Sequence, residues 1–249
     1  MERLFFRIAG PVVLMLLGDT AVFDRWLWLR KYLKSGPLRT LDAGCGSGAL
    51  TIYAARRGND AVGVSFEERN NRVARERAAF FGLKAEFIDG DLRKLDELAS
   101  RLGMFDQIIC FETIEHIMND RKLLRDFSNV LKPGGRLLLS TPYAHYHRSM
   151  GGAISDIENG DHVRWGYTRE EAESLLREAG LELVVCSYVT GVVSQQLIRF
   201  YRWLSGKIPY KLAWAVIFPL RLCIVLDPVL TPLFRWPYLS IAVMARKNK

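Results

Sequence analysis

A chain of 249 residues, 49% apolar and 25% charged, has the composition of a globular protein with one domain and elaborations. Its four cysteines, Cys45, Cys110, Cys186 and Cys223, are far apart and form no Cys-x-x-Cys pair. That spacing excludes a zinc ribbon and reads as reduced, mostly buried thiols of a cytosolic protein. The net charge of +8 is unevenly placed. From Thr190 onward Arg199, Arg202, Lys207, Lys211, Arg221, Arg235, Arg246, Lys247 and Lys249 face one acid, Asp227, so the excess lies there and the rest of the chain balances.

Residues Met1 to Leu17 set two arginines before the apolar run Val12 to Leu17, the outline of a secretory signal. Pro11 interrupts that pattern and no small-residue cleavage site follows, so residues 1–37 read as an N-terminal helical segment packed on the domain. Short apolar runs bounded by turn residues then alternate with amphipathic stretches. Leu38 to Asp42 predicts a first strand, Ala49 to Arg57 a helix stopped by Gly58, and Ala61 to Ser65 a second strand. Glu67 to Phe81 predicts a helix with acids in its first turn, and Ala85 to Ile88 and Asp106 to Phe111 predict strands. Arg121 to Leu131 reads as a helix, Arg136 to Ser140 as a strand, and Thr168 to Gly180 as a helix with an acidic N-terminal signature. Leu183 to Val189 and Leu239 to Ala245 complete seven strands.

This alternation predicts an α/β, Rossmann-like, mostly parallel sheet with helices on both faces. The core spans residues 38–189, an insertion spans 190–238, and the last strand and C-terminus span 239–249. The insertion is far longer than an ordinary connection.

The first strand runs into Asp42-Ala43-Gly44-Cys45-Gly46-Ser47-Gly48. Alternating glycines let the backbone approach a ligand closely and aim the N–H groups of the next helix at it. A dinucleotide fingerprint has the spacing G-x-G-x-x-G, whereas this loop is D-x-G-x-G-x-G. It resembles the first motif of class I S-adenosylmethionine-dependent methyltransferases. The resemblance implies that Asp42, Gly44, Cys45, Gly46 and Gly48 hold that cofactor, with Phe111 completing the set at the end of the fourth strand. The ribose acid usual after the second strand is replaced by Ser65, and Glu67 or Glu68 takes its place, as in cyclopropane-fatty-acid-synthase-like methyltransferases. Asp91 and Leu92 resemble the adenine-binding motif, although Asp91 also reads as a helix N-cap.

The fourth strand ends in Glu112-Thr113-Ile114-Glu115-His116, where open parallel sheets bind ligands. Two carboxylates and an imidazole within five residues suit a divalent cation. The segment resembles the Glu-x-x-Glu-His of the ubiquinone-biosynthesis O-methyltransferases, within the methyltransferase type 11 group, and of the small-RNA 2′-hydroxyl methyltransferases. In both, a later histidine precedes a helix, and His162 matches it here. The resemblance implies Glu112, Glu115, His116 and His162 as ligands of Mg²⁺, Mn²⁺ or Zn²⁺. The same strand-end Glu-His also occurs in relatives that bind no metal. Without a metal, His116 is the general base, with Glu115 beside it. Tyr143, His145 and His147 are candidates for the pocket wall.

Residues 192–237 interleave aromatic and basic side chains, the composition of an interfacial segment. The longest apolar run, Leu212 to Leu220, is broken by Pro219 and is too short to cross a bilayer of ~20 helical residues. The stretch is more aliphatic than a nucleic-acid surface needs, which ranks nucleic acid behind a membrane or a helical lid. The reading is a cytoplasmic methyltransferase, peripheral at the inner membrane surface, acting on a hydroxyl of a hydrophobic or lipid-linked small molecule. Its alternatives are a metal-independent N- or C-methyltransferase for a lipid headgroup or isoprenoid, and a cofactor-binding interaction module without transfer activity.

Overall fold

Among the residues described by a computed structural model, 10–17, 20–146 and 153–248, seven strands form one sheet. They are β1 (Arg39–Ala43), β2 (Asp60–Ser65), β3 (Glu86–Asp89), β4 (Phe105–Phe111), β5 (Leu131–Pro142), β6 (Leu181–Val189) and β7 (Ser240–Lys247). Their order is β3-β2-β1-β4-β5-β7-β6, parallel throughout except that β7 runs antiparallel to both neighbours. The direction of winding reverses between β1 and β4, which opens a crevice at their carboxyl ends.

Helices cover both faces. On one side α5 (Leu95–Leu102), α6 (Asp120–Val130) and α7 (Arg169–Glu178) bury Leu95, Leu123, Phe127 and Leu176 against Leu41, Ile108 and Leu137. On the other, α2 (Thr20–Tyr32) lays Phe23, Trp26, Trp28 and Leu29 over Ile109, Leu138 and Ala242, beside α1 (Val12–Leu17) and α3 (Ala49–Arg56). The helix α4 (Glu68–Phe80) packs Ala74 and Ala78 on Phe87 of β3. Removing such side chains from water stabilises the fold by about 1.5–3 kcal/mol each. The start of α7 is held by a capping box, in which Thr168 and Glu171 satisfy each other's backbone N–H groups.

Two departures from expectation stand out. The helix α5 was not anticipated, although Leu95, Leu98 and Leu102 recur at helical spacing. The insertion is helical, with α8 (Val192–Ser205), α9 (Tyr210–Leu220) and α10 (Asp227–Leu233), but Pro219 does not cut it as predicted. Pro219 sits inside α9, and backbone bonding then tightens to a 3₁₀ turn at Arg221–Leu226 that carries the helical run on into α10. The result is one helical run, Tyr210–Leu233, of 24 residues, whose most apolar 18-residue window has a mean hydropathy of 1.9, long and apolar enough to cross a membrane.

Candidate active site

The crevice between β1 and β4 holds a cavity of 610 Å³. Of the residues predicted for the cofactor, Gly44, Gly46, Ser65, Glu67, Asp91 and Leu92 line it. Gly44 has φ +84°, and a Cβ there would sit 2.2 Å from Thr113 Oγ1, so glycine is required by conformation and by space. At Gly46, φ is +49° and nothing lies within 4 Å of a built Cβ, which leaves a bare cradle of backbone for a ligand.

The other predicted residues support this floor from below or lie aside. Asp42 is 3% exposed and accepts from Thr51 Oγ1 at 2.6 Å, which ties β1 to α3 under the loop. Burial raises its carboxyl to about 6. Burial also pushes the Cys45 thiol up, so Cys45 is an inert packing residue. Gly48 is the left-handed N-cap of α3, where a Cβ would meet Ala74 and Phe87. Phe111 lies outside the cavity lining, with its ring centroid 6.1 Å from that of Trp28 in α2.

Asp91 caps the 3₁₀ turn Leu92–Lys94 by accepting from Arg93 N at 2.9 Å, and it also takes the Arg93 guanidinium. Those bonds hold the Asp91 carboxyl below its ordinary range. Arg93 reaches on to Glu158 at 3.0 Å and lies over the Phe66 ring, so Phe66, Arg93 and the turn Glu158-Asn159-Gly160 wall the cavity. The sequence reading missed these residues. The Asn-Gly dipeptide was a visible turn signal, but its distance in sequence from the glycine loop hid its place.

A second cavity of 350 Å³ shares Glu112 with the first and is otherwise lined by residues that include Arg25, Pro142, His162, Ile198, Arg199 and Arg202. Glu112 takes φ +48°, uncommon for a residue with a side chain, as β4 ends. Its carboxylate pairs with Arg25 at 2.9 Å and accepts from Ser140 Oγ at 2.7 Å. It therefore stands apart from the other three metal candidates. The ligand atoms of Glu115, His116 and His162 all fall within 4.8 Å of one another.

Glu115 is fully buried, and its Oε1 has no hydrogen-bond partner among the described residues. Burial, followed by the nearby Glu112 charge, pushes its carboxyl well above the ordinary range. A buried carboxylate with an orphan oxygen beside two imidazoles fits a divalent cation. His116 Nδ1 lies 3.1 Å from Asp161 O. A carbonyl only accepts, so Nδ1 carries the proton and Nε2 keeps the lone pair. Tyr143 and His145 are in ring contact at 5.2 Å, and neither lines these two cavities. His147 lies outside the described residues.

A glycine cradle at the switch point of a sheet with one reversed strand, opening onto a polar strand end, defines a class I S-adenosylmethionine-dependent methyltransferase. The chain belongs to the methyltransferase-domain family, which matches residues 21–185. It is 28% identical over 171 residues to a ubiquinone biosynthesis O-methyltransferase of Marinobacter nauticus, covering 66% of this chain and 71% of that protein. Over eight such ubiquinone biosynthesis O-methyltransferases, the matched segment covers 42% to 75% of their length.

Among solved structures, an S-adenosylmethionine-dependent methyltransferase from Mesorhizobium loti superposes with a TM-score of 0.61 at 20% identity, covering 93% of this chain and all of that one. The N-methyltransferase NodS from Bradyrhizobium japonicum, in complex with S-adenosyl-L-homocysteine, gives 0.58 at 17%, covering 90% and 86%. At these identities the likeness shows the fold alone.

Proposed function

We propose that this chain methylates a hydroxyl oxygen of a hydrophobic or lipid-linked small molecule, with help from a divalent cation. The observation that carries the reading is the convergence of Glu115, His116 and His162 beside Glu112, the residue common to both cavities. The cofactor occupies the larger cavity and the acceptor the smaller. The ubiquinone biosynthesis O-methyltransferases it resembles support oxygen as the acceptor atom. The cytoplasm, where the cofactor is made, is the proposed compartment, at the inner membrane surface.

Methyl transfer needs the acceptor lone pair in line with the sulfonium methyl, so positioning supplies much of the rate. A bound cation, one of Mg²⁺, Mn²⁺ or Zn²⁺, would lower the acceptor hydroxyl pKa and orient its oxygen. Glu115, His116 and His162 would hold it. Asp161 fixes the His116 ring, and Arg25 neutralises Glu112 so that the wall between the cavities carries no uncompensated charge. Arg199 and Arg202 line the acceptor cavity.

The test is transfer of labelled methyl to an alkyl-substituted catechol, with calorimetric titration of Mg²⁺, Mn²⁺ and Zn²⁺ alongside. Chelation is expected to lower transfer by at least about tenfold, with recovery on adding one ion, and Glu115→Gln to weaken ion binding by about 10–100-fold. Full activity in chelator, with His162→Ala also active, would remove the metal from the mechanism.

A further inference from the structure

The outer side of Tyr210–Leu233 differs from the rest of the surface. Between Leu212 and Phe234 the only charged residues are Arg221 and Asp227, and they are 2% and 4% exposed. Both point inward to internal partners. Asp227 accepts from Val193 N at 2.6 Å and Ser194 N at 3.1 Å, capping α8 from another helix. Arg221 donates to Leu16 O of α1. Outward, Leu222, Val225, Val229, Leu233 and Phe234 are each 62–69% exposed, and Leu212 is 54% exposed. A solvated stretch from Leu212 to Phe234 without one exposed charge is anomalous, and an apolar ridge of this extent marks an interaction surface.

Charge bounds the ridge at both ends. Lys207 and Lys211 precede it and Arg235 follows it, all exposed and in no ion pair among the described residues. Lys207 lies 5.2 Å from the centroid of the Trp203 ring, itself 57% exposed, a cation and an aromatic together at one end. We propose that this ridge docks the chain on an anionic phospholipid bilayer. Its apolar side chains enter the acyl boundary, and Lys207, Lys211 and Arg235 meet the headgroup phosphates.

The helical run lies on the bilayer rather than through it. Crossing would strip α8 of its cap and carry Asp227 and Arg221 into hydrocarbon. A second copy of the chain fits the ridge poorly, since a symmetric contact would bring the same basic rims together. The acceptor cavity is lined by Ile198, Arg199 and Arg202 of α8, the helix on which α9 and α10 pack. A ridge seated on lipid therefore keeps that cavity beside the membrane. This purpose rests on the proposed lipid-linked acceptor, whereas the docking itself rests on the surface.

The experiment is sedimentation of the full chain with vesicles of phosphatidylcholine alone or with a third of phosphatidylglycerol. Binding is expected to favour the anionic vesicles by on the order of a hundredfold, from three basic residues. Leu222→Ser/Val225→Ser/Val229→Ser is expected to lower it by more than about a hundredfold. These positions are exposed, so cofactor binding stays as in the parent chain and reports the fold. Lys207→Glu/Lys211→Glu is expected to remove the anionic preference while weak binding to neutral vesicles remains.

The proposal is overturned if the parent chain stays in the supernatant with both vesicles, or if the triple variant binds as well as the parent. It is equally overturned if the ridge holds a dimer that the triple variant converts to monomer while neither form binds lipid. Vesicle binding without methyl transfer would count against the acceptor reading and leave the docking surface standing.

Discussion

Replacing Asp24 by asparagine tests how the insertion is fastened to the core. Asp24 of α2 is 8% exposed, and Ser194 Oγ of α8 lies within hydrogen-bond reach of it and, at 2.6 Å, of Asp227. A serine hydroxyl has one proton and can donate to only one of the two carboxylates. Asp227 already accepts two backbone N–H groups, so the proton that the crowded pair needs is placed on Asp24, which then donates to Ser194 Oγ. Burial is the largest cause raising the Asp24 carboxyl from 3.8 to about 7, with Asp227 adding to it against the Ser194 hydrogen bond and the charge of Arg25.

A carboxyl raised on folding binds its proton more tightly in the native state. Its contribution is therefore full below 3.8, falls as pH rises and is gone above about 7. About three pKa units at 1.36 kcal/mol each make this a loss of about 4 kcal/mol between pH 4 and pH 7. Asparagine keeps a donor for Ser194 Oγ and cannot ionise. Urea unfolding of both proteins from pH 4.5 to 8.5 should show Asp24→Asn gaining on the parent as pH rises, by about 3 kcal/mol over that range, with the difference level above pH 7. Taking the difference cancels the other raised acids, Asp42 and Glu115. A constant offset between the two curves across that range would refute the shared-proton reasoning.

Gly44→Ala should weaken S-adenosylmethionine binding by more than about tenfold, measured by calorimetry. It forces a Cβ onto Thr113 at a left-handed φ, a strain of about 1–3 kcal/mol. Thr168→Ala removes one half of the α7 capping box and should lower unfolding stability by about 1 kcal/mol without changing cofactor affinity, since α7 lies away from the cofactor cavity. An affinity change in Thr168→Ala would show that α7 is coupled to the site.

Local chemistry made much of this protein legible from its residues. The glycine loop, the strand-helix alternation and the capping box are written in contiguous segments, because periodicity and backbone permissiveness act over a few residues. On those grounds the seven strands, the fold class and the cofactor followed from the chain alone. Glu115-His116 was visible as a cluster for the same reason.

Tertiary structure decided what depends on segments distant in sequence. It brought His162 to His116 with rings 4.7 Å apart and drew Glu112 away to Arg25 of an N-terminal helix. It also set Arg93 between Asp91 and Glu158. In the insertion the sequence determined the composition, apolar and basic, but not the arrangement. Only the fold shows that the two charges within the ridge turn inward, because that depends on partners the chain supplies elsewhere, Leu16 for Arg221 and the start of α8 for Asp227, and only the fold shows that the helical run continues past Pro219 through a 3₁₀ turn.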